Sequence, residues 1–295
     1  MAQELEVKLT LNRGVIVEAL AWLQAQPEAR AGSKKSLANC YYDTPDAELN
    51  RRQAALRVRQ AGSQYIQTLK TRGEFVNGAH RRDEWEWPVS GPSLSLRLLA
   101  ETSLGDYGYL ARLAPVFETN FTRQVIMLDD GKAVIECAVD EGVIAAGGQE
   151  KPLHEVEFEL VSGDPSRLLV WAETLARQFP VFLNLISKAE QGYYLAGIHV
   201  TAEDNDVQVD THDDLDRLLH RLSHAWLVQG SVSLDGLDVQ ALAVKAEASG
   251  LGQSFATVVE ALAKGQSLED LLDKPELGQC QLGLLANRAR RSLGP

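Results

Sequence analysis

Several segments in the first 200 residues carry a charged side chain at every second position, and this alternation restricts the fold more than any other feature of the sequence. Successive side chains of a β-strand point to opposite faces, so a period of two gives each strand one charged face and one apolar face. The sequence therefore predicts a region dominated by strands. The segments are Glu4–Lys8, Leu56–Arg59, Tyr65–Lys70, Arg82–Glu86, Thr119–Arg123, Val134–Asp140 and His154–Leu160.

The chemistry of the charged faces allows two arrangements. An antiparallel sheet can turn a polar face to water, and alternation alone is explained in that way. Solvated strand faces, however, usually carry Thr, Ser and Gln beside the charges, whereas here almost every segment contributes ionisable residues. If the strands close into a barrel, carboxylates and guanidinium groups line its interior, and such an interior needs a charged ligand.

Composition excludes several classes of protein. The 45% hydrophobic and 24% charged residues are typical of a globular chain, and no apolar run approaches the length that crosses a bilayer. A net charge of −12 argues against a general nucleic-acid binder. The acidic start of the chain does not resemble a secretory signal, and three scattered cysteines offer no disulfide framework. We therefore expect a cytoplasmic protein that binds neither nucleic acid nor membrane.

The pattern becomes helical after about residue 200. Leu215, Leu218, Leu222 and Trp226 fall on one helix face, and the tail carries 15 acidic and 8 basic residues, a net charge of −7. We predict one domain over residues 1–200 and an acidic helical bundle over residues 201–295, with a linker at 200–210. The bundle is expected to be dispensable for chemistry, and its apolar faces offer a route to a homo-oligomer or a partner. Further helices are predicted over Gly14–Gln26, Pro165–Phe179, Gly236–Ser249, Ser254–Lys264, Ser267–Asp273 and Glu276–Leu293.

The charged segments also suggest a chemistry. Glu4 and Glu6 offer two carboxylates on one strand face, which suits Mg²⁺ or Mn²⁺, although Glu-x-Glu-x-Lys alone is far more often a solvated strand. Arg57 and Arg59 offer paired guanidinium groups that match phosphate geometry. Lys34 and Lys35, in a stretch that reads as a polar loop, are expected to be solvated.

Taken together, these segments resemble the motif set of the CYTH superfamily, the triphosphate tunnel metalloenzymes. The resemblance runs from residue 1 to about 198 and is nearest to bacterial inorganic triphosphatases. It implies an α+β fold, with an eight-stranded antiparallel β tunnel and flanking helices, which the small all-α tail follows. The tail is too acidic and too poor in histidine for the complete CHAD domain that such proteins often carry. The motifs are Glu4–Lys8, Leu56–Arg59, Thr68–Lys70, Arg82 with Glu84, Arg123, Ala138–Gly142, Glu155–Leu160 and Ser187–Tyr193.

The resemblance also implies roles for individual residues. A divalent metal, Mg²⁺ or Mn²⁺, would be held by Glu4, Glu6, Glu155 and Glu157. Lys8, Arg57, Arg59, Lys70, Arg82, Arg123 and Lys188 would bind the substrate, with Glu84 and Asp140 in the tunnel wall. Glu4, Glu6 and Lys8 would take part in catalysis. Structural ion pairs across strands are the alternative for each of them, and the two explanations are evenly balanced for Glu86 and Glu159.

Three functions compete at this point. The first is metal-dependent hydrolysis of a small polyanionic triphosphate, with inorganic triphosphate ahead of thiamine and nucleoside triphosphates. The second is the class IV type of adenylate cyclase in the same superfamily, although no purine site is identifiable. The third is a polyphosphate-binding module without activity. The paired carboxylates favour catalysis, since a pure anion binder has no need of acids beside its arginines.

Overall fold

We analysed a computed structural model of the chain, which describes residues 2–71, 73–76, 79–102, 104–105, 108–198 and 213–292. The side chains of residues 2, 3, 74, 76, 80, 82, 101, 291 and 292 lie outside this description. The strands are β1 (Ala2–Thr10), β2 (Ala29–Asp43), β3 (Ala55–Ala61), β4 (Gln64–Lys70), β5 (Glu74–Val76), β6 (Ala79–Val89), β7 (Ala114–Asp129), β8 (Ala133–Ala146), β9 (Gln149–Gly163) and β10 (Phe182–Leu183). The helices are α1 (Arg13–Gln24), α2 (Glu48–Arg51), α3 (Ser166–Ala176), α4 (Lys188–Leu195), α5 (Asp214–Val228), α6 (Val239–Glu247), α7 (Gly252–Ala263), α8 (Leu268–Leu272) and α9 (Pro275–Ser292).

Within the described residues, eight antiparallel strands close into a ring. Its order is β1, β9, β8, β7, β2, β3, β4 and β6, and pairing of β6 with β1 completes it. Short strands β5 and β10 extend the sheet beside β6 and β1. Closure of the sheet removes the exposed edges that an open sheet of this size presents. The predicted eight-stranded tunnel with flanking helices is confirmed.

Alternation along β1 shows how the two faces are used. Glu4, Glu6 and Lys8 are buried on the inner face, while Val7 and Leu9 belong to the main hydrophobic core outside the ring. Outward residues of β7, β8 and β9, such as Phe158, join the same core beneath α1 and α3. Both faces of these strands are therefore buried, one against hydrocarbon and one against other charges.

A second, smaller core covers the opposite wall of the ring. Leu56 and Leu69 on β3 and β4 pack there with Leu49 of α2 and Leu99 of a 3₁₀ turn over Leu96–Glu101. Trp85 and Trp87 pack against this cluster from the outer face of β6, as the alternation of that strand predicts. A second 3₁₀ turn covers Gly108–Arg112.

The C-terminal helices α5 to α9 pack on the ring and share its main core. Leu219 of α5, Phe255 of α7 and Leu282 of α9 lie in one cluster with Leu9 and Phe182. The helix positions agree with those predicted from spacing, within a few residues at each end. The domain boundary near residue 200 and its linker fall on 199–212, outside the described residues, so the two-domain division stays a prediction, as does association through these helices.

One expectation needs correction. Lys34 and Lys35 lie in β2, a strand that the alternation did not reveal, and not in a loop. Residues 188–195, at the end of the predicted motif set, had no predicted secondary structure and form a helix, α4, which packs against β7, β8 and β9. Among the described residues, no helix has both the length and the apolar composition needed to span a bilayer.

Candidate functional site

Strand register brings the predicted residues together on the inner face of the ring. Arg123 of β7 lies opposite Asp140 of β8, which lies opposite Glu155 of β9. Lys8 of β1 lies opposite Glu157 of β9, and Lys70 of β4 lies opposite Glu84 of β6. Arg82 pairs in register with Glu4, but its side chain is outside the described part of the structure.

One cluster of charges joins β7, β8 and β9 to helix α4. Lys188, the first residue of α4, places its Nζ 2.7 Å from Glu155 Oε2, 2.7 Å from Glu157 Oε1 and 3.0 Å from Asp140 Oδ2. Arg123 donates from Nε and Nη2 to the two oxygens of Asp140, at 2.8 and 2.7 Å, and from Nη2 to Glu157 Oε2 at 2.6 Å. Two cations and three carboxylates thus satisfy one another within the tunnel wall.

The electrostatics of this cluster follow from the pairing. Burial alone would raise the pKa of Glu157, but attraction to Lys188 and Arg123 outweighs burial and holds that pKa well below its usual range. Burial likewise disfavours the Lys188 ammonium, yet Glu155, Glu157 and Asp140 raise its pKa well above the ordinary lysine value. Glu157 and Lys188 are therefore both charged at neutral pH.

A second cluster lies on β1, β3, β4 and β6. The Lys70 ammonium contacts both oxygens of Glu4 at 2.8 Å and Glu84 Oε1 at 3.5 Å. Arg57 Nη2 lies 4.0 Å from Glu84 Oε1, and Arg57 Nη1 donates to the Tyr41 hydroxyl at 3.3 Å. Arg57 is buried, and its Nε has no hydrogen-bond partner in the described part of the chain.

Arg59 differs from the other arginines of the tunnel. Its Nε donates to Asn39 Oδ1 at 2.7 Å, but no described carboxylate lies within ion-pair distance of its guanidinium group. Burial lowers the pKa of Arg59 to about 9, and repulsion from Arg57 and Arg123 adds to the effect. Three guanidinium groups with one of them unneutralised form a site for a polyanion.

Carboxylates dominate the next part of the inner face. Glu6, Glu159 and Glu136 occupy directly opposed positions on β1, β9 and β8, where like charges repel. The pKa of Glu159 is raised to about 8, first by burial and then by the neighbouring carboxylates, with Glu4 first among them, against the opposing pull of Lys70. Excess negative charge of this kind is what a divalent cation relieves.

The carboxylates that the resemblance assigns to one metal make different contacts in the structure. Glu157 lies diagonally beside Glu6 across β1 and β9, but its carboxylate contacts Lys188 and Arg123, and that of Glu155 contacts Lys188. Among the described residues, no three His, Cys, Asp or Glu side chains converge as ligands of a single ion. Mg²⁺ commonly needs only one or two protein carboxylates, with water and substrate phosphates as the remaining ligands, so the donor set fits such an ion.

Several residues of the charged site were not identified from the sequence. Asn39 and Tyr41 lie on β2, the strand that the alternation did not reveal. Glu136 lies within the charged segment Val134–Asp140, but the alternation assigned it no individual role. Gln191 of α4 donates to Glu155 Oε1 at 3.0 Å, and its own Oε1 has no described partner. In the pairing of β2 with β7, Lys35 lies directly opposite Arg123, so the two residues are on the same face of the sheet. Only this pairing shows the placement of Lys35.

A family model described as the CYTH domain matches residues 2–193. The chain belongs to the CYTH family. The match covers the whole ring of strands and extends into α4, so the CYTH tunnel includes Lys188.

The chain is also similar to individual known proteins. The chain is 34% identical over 197 residues to an inorganic triphosphatase from Haemophilus influenzae, spanning 66% of this chain and 55% of that protein. It therefore covers little more than half the length of this relative. The structure of the Hippeastrum protein HpAC1, described as revealing a dominant triphosphatase activity, is similar with a TM-score of 0.49 and 18% identity, over 68% of this chain and 99% of that one. The PH1012 protein from Pyrococcus horikoshii has a TM-score of 0.39 and 16% identity, over 59% and 88% of the two chains.

Proposed function

We propose that the CYTH tunnel hydrolyses a small triphosphate with the help of a divalent metal, and that inorganic triphosphate is cleaved to pyrophosphate and phosphate. The observation that carries this proposal is Arg59. Its guanidinium group lacks a described carboxylate partner and is flanked by Arg57 and Arg123, so the ligand-free site holds uncompensated positive charge. The family relative named as an inorganic triphosphatase supports the same substrate class.

The cations of the tunnel would have different roles in binding and cleaving the triphosphate. Arg57 and Arg59 lie on one strand, β3, and their paired N–H groups would donate hydrogen bonds to phosphate oxygens. Arg123 and Lys188 are already oriented by Asp140, Glu155 and Glu157, so they would meet the phosphate without rearrangement, which is how fixed charges stabilise a phosphoryl group in transfer. Lys8, Lys70 and Arg82 complete the proposed substrate-binding set, with Glu84 beside Lys70.

The metal is proposed to lie at Glu4 and Glu6. A bound Mg²⁺ or Mn²⁺ would offset phosphate charge and act as a Lewis acid there. Glu159, whose pKa is raised to about 8 first by its burial and then by neighbouring carboxylates, is largely protonated at neutral pH, and a cation bound at this position would favour its charged form. In this proposal the metal would replace Lys70 at Glu4, whereas Glu155 and Glu157, which were expected to share the metal, would keep Lys188 in place, and Glu157 would also keep Arg123 in place.

A panel of substrates tests the proposal. Phosphate release would be measured from inorganic triphosphate, pyrophosphate, thiamine triphosphate and ATP, each with Mg²⁺ and with Mn²⁺. We expect the highest kcat/KM for inorganic triphosphate and no release when the metal is chelated. Conversion of ATP to a cyclic product would instead support a cyclase, and tight binding of triphosphate without release would support a binding module.

A further inference from the structure

Two polar side chains are buried among the leucines of the C-terminal helices. Ser223 of α5 is 0% exposed and Gln281 of α9 is 3% exposed, and both helices otherwise bury residues such as Leu222 and Leu282 on these faces. A buried hydroxyl or amide costs free energy unless it is hydrogen-bonded. The partners of these two side chains therefore explain their presence.

Both side chains bind the backbone that leads from β10 into α4, residues 182–187. Gln281 accepts from the Leu183 amide at 2.9 Å and donates to the Leu183 carbonyl at 3.0 Å. Ser223 Oγ accepts from the Leu185 amide at 3.0 Å. On its other side the segment bonds to β1, where the Asn184 amide donates to the Lys8 carbonyl at 3.2 Å. The segment is thus held between the tunnel and the tail.

The same segment sets the position of Lys188. Lys8 Nζ donates to the Ile186 carbonyl, and Ser187 caps α4 through a reciprocal pair of bonds with Glu190. Lys188 follows at once as the first residue of α4, with its ammonium against three carboxylates. Because few residues separate Leu183 and Leu185 from Lys188, loss of their anchors moves the start of the helix.

We propose that Gln281 and Ser223 are positioning residues that hold Lys188 in the tunnel, and that the C-terminal helices are therefore part of the site. The catalytic consequence rests on the proposed triphosphatase function, whereas the placement of Lys188 does not. This replaces the expectation from sequence that the tail is dispensable. Two uncharged side chains of the tail connect it to the segment that leads to Lys188.

The test uses the full chain with Gln281→Met and Ser223→Ala. Met matches Gln in volume but forms neither bond to Leu183. Gln279→Met is the matched control, since Gln279 lies on the same helix and donates to the Ala176 carbonyl at 3.4 Å, away from the segment. Two quantities are measured: the acetylation rate of Lys188 by mass spectrometry, and kcat and KM for inorganic triphosphate.

We expect Lys188, 8% exposed in the native protein, to be acetylated several-fold faster in Gln281→Met and Ser223→Ala. The value of kcat should fall on the order of 10- to 100-fold, the loss that misplacement by about 1 Å can cause. Gln279→Met should change neither quantity. In a Lys188→Met background, Gln281→Met should cause no further loss of turnover, because the group that it positions is already absent.

Three results would overturn the positioning role. The first is unchanged acetylation of Lys188 in both variants, whatever their activity. The second is equal loss of activity in Gln279→Met, which indicates general destabilisation. The third is a full additional loss in the Lys188→Met background. If the native protein hydrolyses no triphosphate while Lys188 acetylation rises as expected, the proposed function fails and the structural role of the tail stands.

Discussion

Arg59→Gln is expected to stabilise the ligand-free protein and to weaken its hold on triphosphate. Along the side chain, Gln Nε2 takes the place of Arg Nε, so the bond to Asn39 Oδ1, 2.7 Å in the native protein, can be kept. The change removes the guanidinium charge, whose pKa burial and repulsion from Arg57 and Arg123 lower from 12.5 to about 9. A cation whose pKa falls on folding destabilises the folded state at every pH below that value, so its removal stabilises the protein at pH 7.

The lowered pKa sets the size of the effect. At about 1.4 kcal/mol per unit, the shift corresponds to roughly 4–5 kcal/mol as an upper limit. Solvent screens part of the repulsion because Arg59 is only partly buried, and the new amide must itself be accommodated. We expect about 1–2 kcal/mol of stabilisation, or a rise in Tm of a few degrees.

Arg123→Gln is the matched control. There Gln Nε2 can keep the 2.8 Å bond to Asp140 Oδ1, but the Nη2 bonds to Asp140 and Glu157 are lost. Lys188 still contacts both carboxylates, but it is then the one remaining cation of the cluster for three buried acids, and this imbalance should cost about 3–5 kcal/mol. Thermal unfolding at pH 7, with and without triphosphate, measures both variants. Destabilisation of ligand-free Arg59→Gln comparable to that of Arg123→Gln would refute the reasoning, as would equal stabilisation of Arg59→Gln and the native protein by triphosphate.

Five further variants separate the roles of individual charges. Arg57→Ala should lower kcat/KM about 10- to 100-fold. Lys34 lies on the exposed outer side of β2, so Lys34→Ala should change kcat/KM by no more than about twofold. Equal effects of the two substitutions would mean that the substrate responds to a diffuse electrostatic field and not to a specific contact with Arg57. Lys35→Ala, exposed but on the face of Arg123, should raise KM at low salt only, so an effect that high salt does not remove would contradict this. Glu6→Gln should need a higher metal concentration for half-maximal activity, because it removes a proposed metal ligand. Glu157→Gln should hydrolyse triphosphate slowly at every metal concentration, because Glu157 holds Lys188 and Arg123. Identical metal titrations of the two variants would contradict these separate roles.

Much of the tunnel could be predicted because the alternation is strong. In β1 the sequence Glu4-Leu5-Glu6-Val7-Lys8 has only one arrangement that buries its apolar side, and the helices around the ring provide that burial. The paired acids and arginines then share the remaining face, so period places Glu4 and Arg57 on a charged strand face, and closure of the ring, which period does not decide, puts that face inside.

Other features depend on contacts between distant parts of the chain. Strand β2 was missed because Ser33 to Ser36 are polar and exposed, and its place is fixed only by pairing with β7 and β3. Helix α4 has a weakly amphipathic sequence, and Gly192 in it is explained only by the ring of Phe117, which a side chain at that position would overlap. The lack of a carboxylate beside Arg59 likewise depends on which strands are neighbours.

Phosphorus NMR of inorganic triphosphate incubated with the protein and Mg²⁺ tests the central claim most directly. The proposed chemistry predicts that the triphosphate signals decay into equal amounts of pyrophosphate and phosphate, that Arg59→Gln slows this decay, and that chelation of the metal stops it. Persistence of the triphosphate signals with Mg²⁺ and with Mn²⁺, or the same rate in Arg59→Gln as in the native protein, would contradict the account.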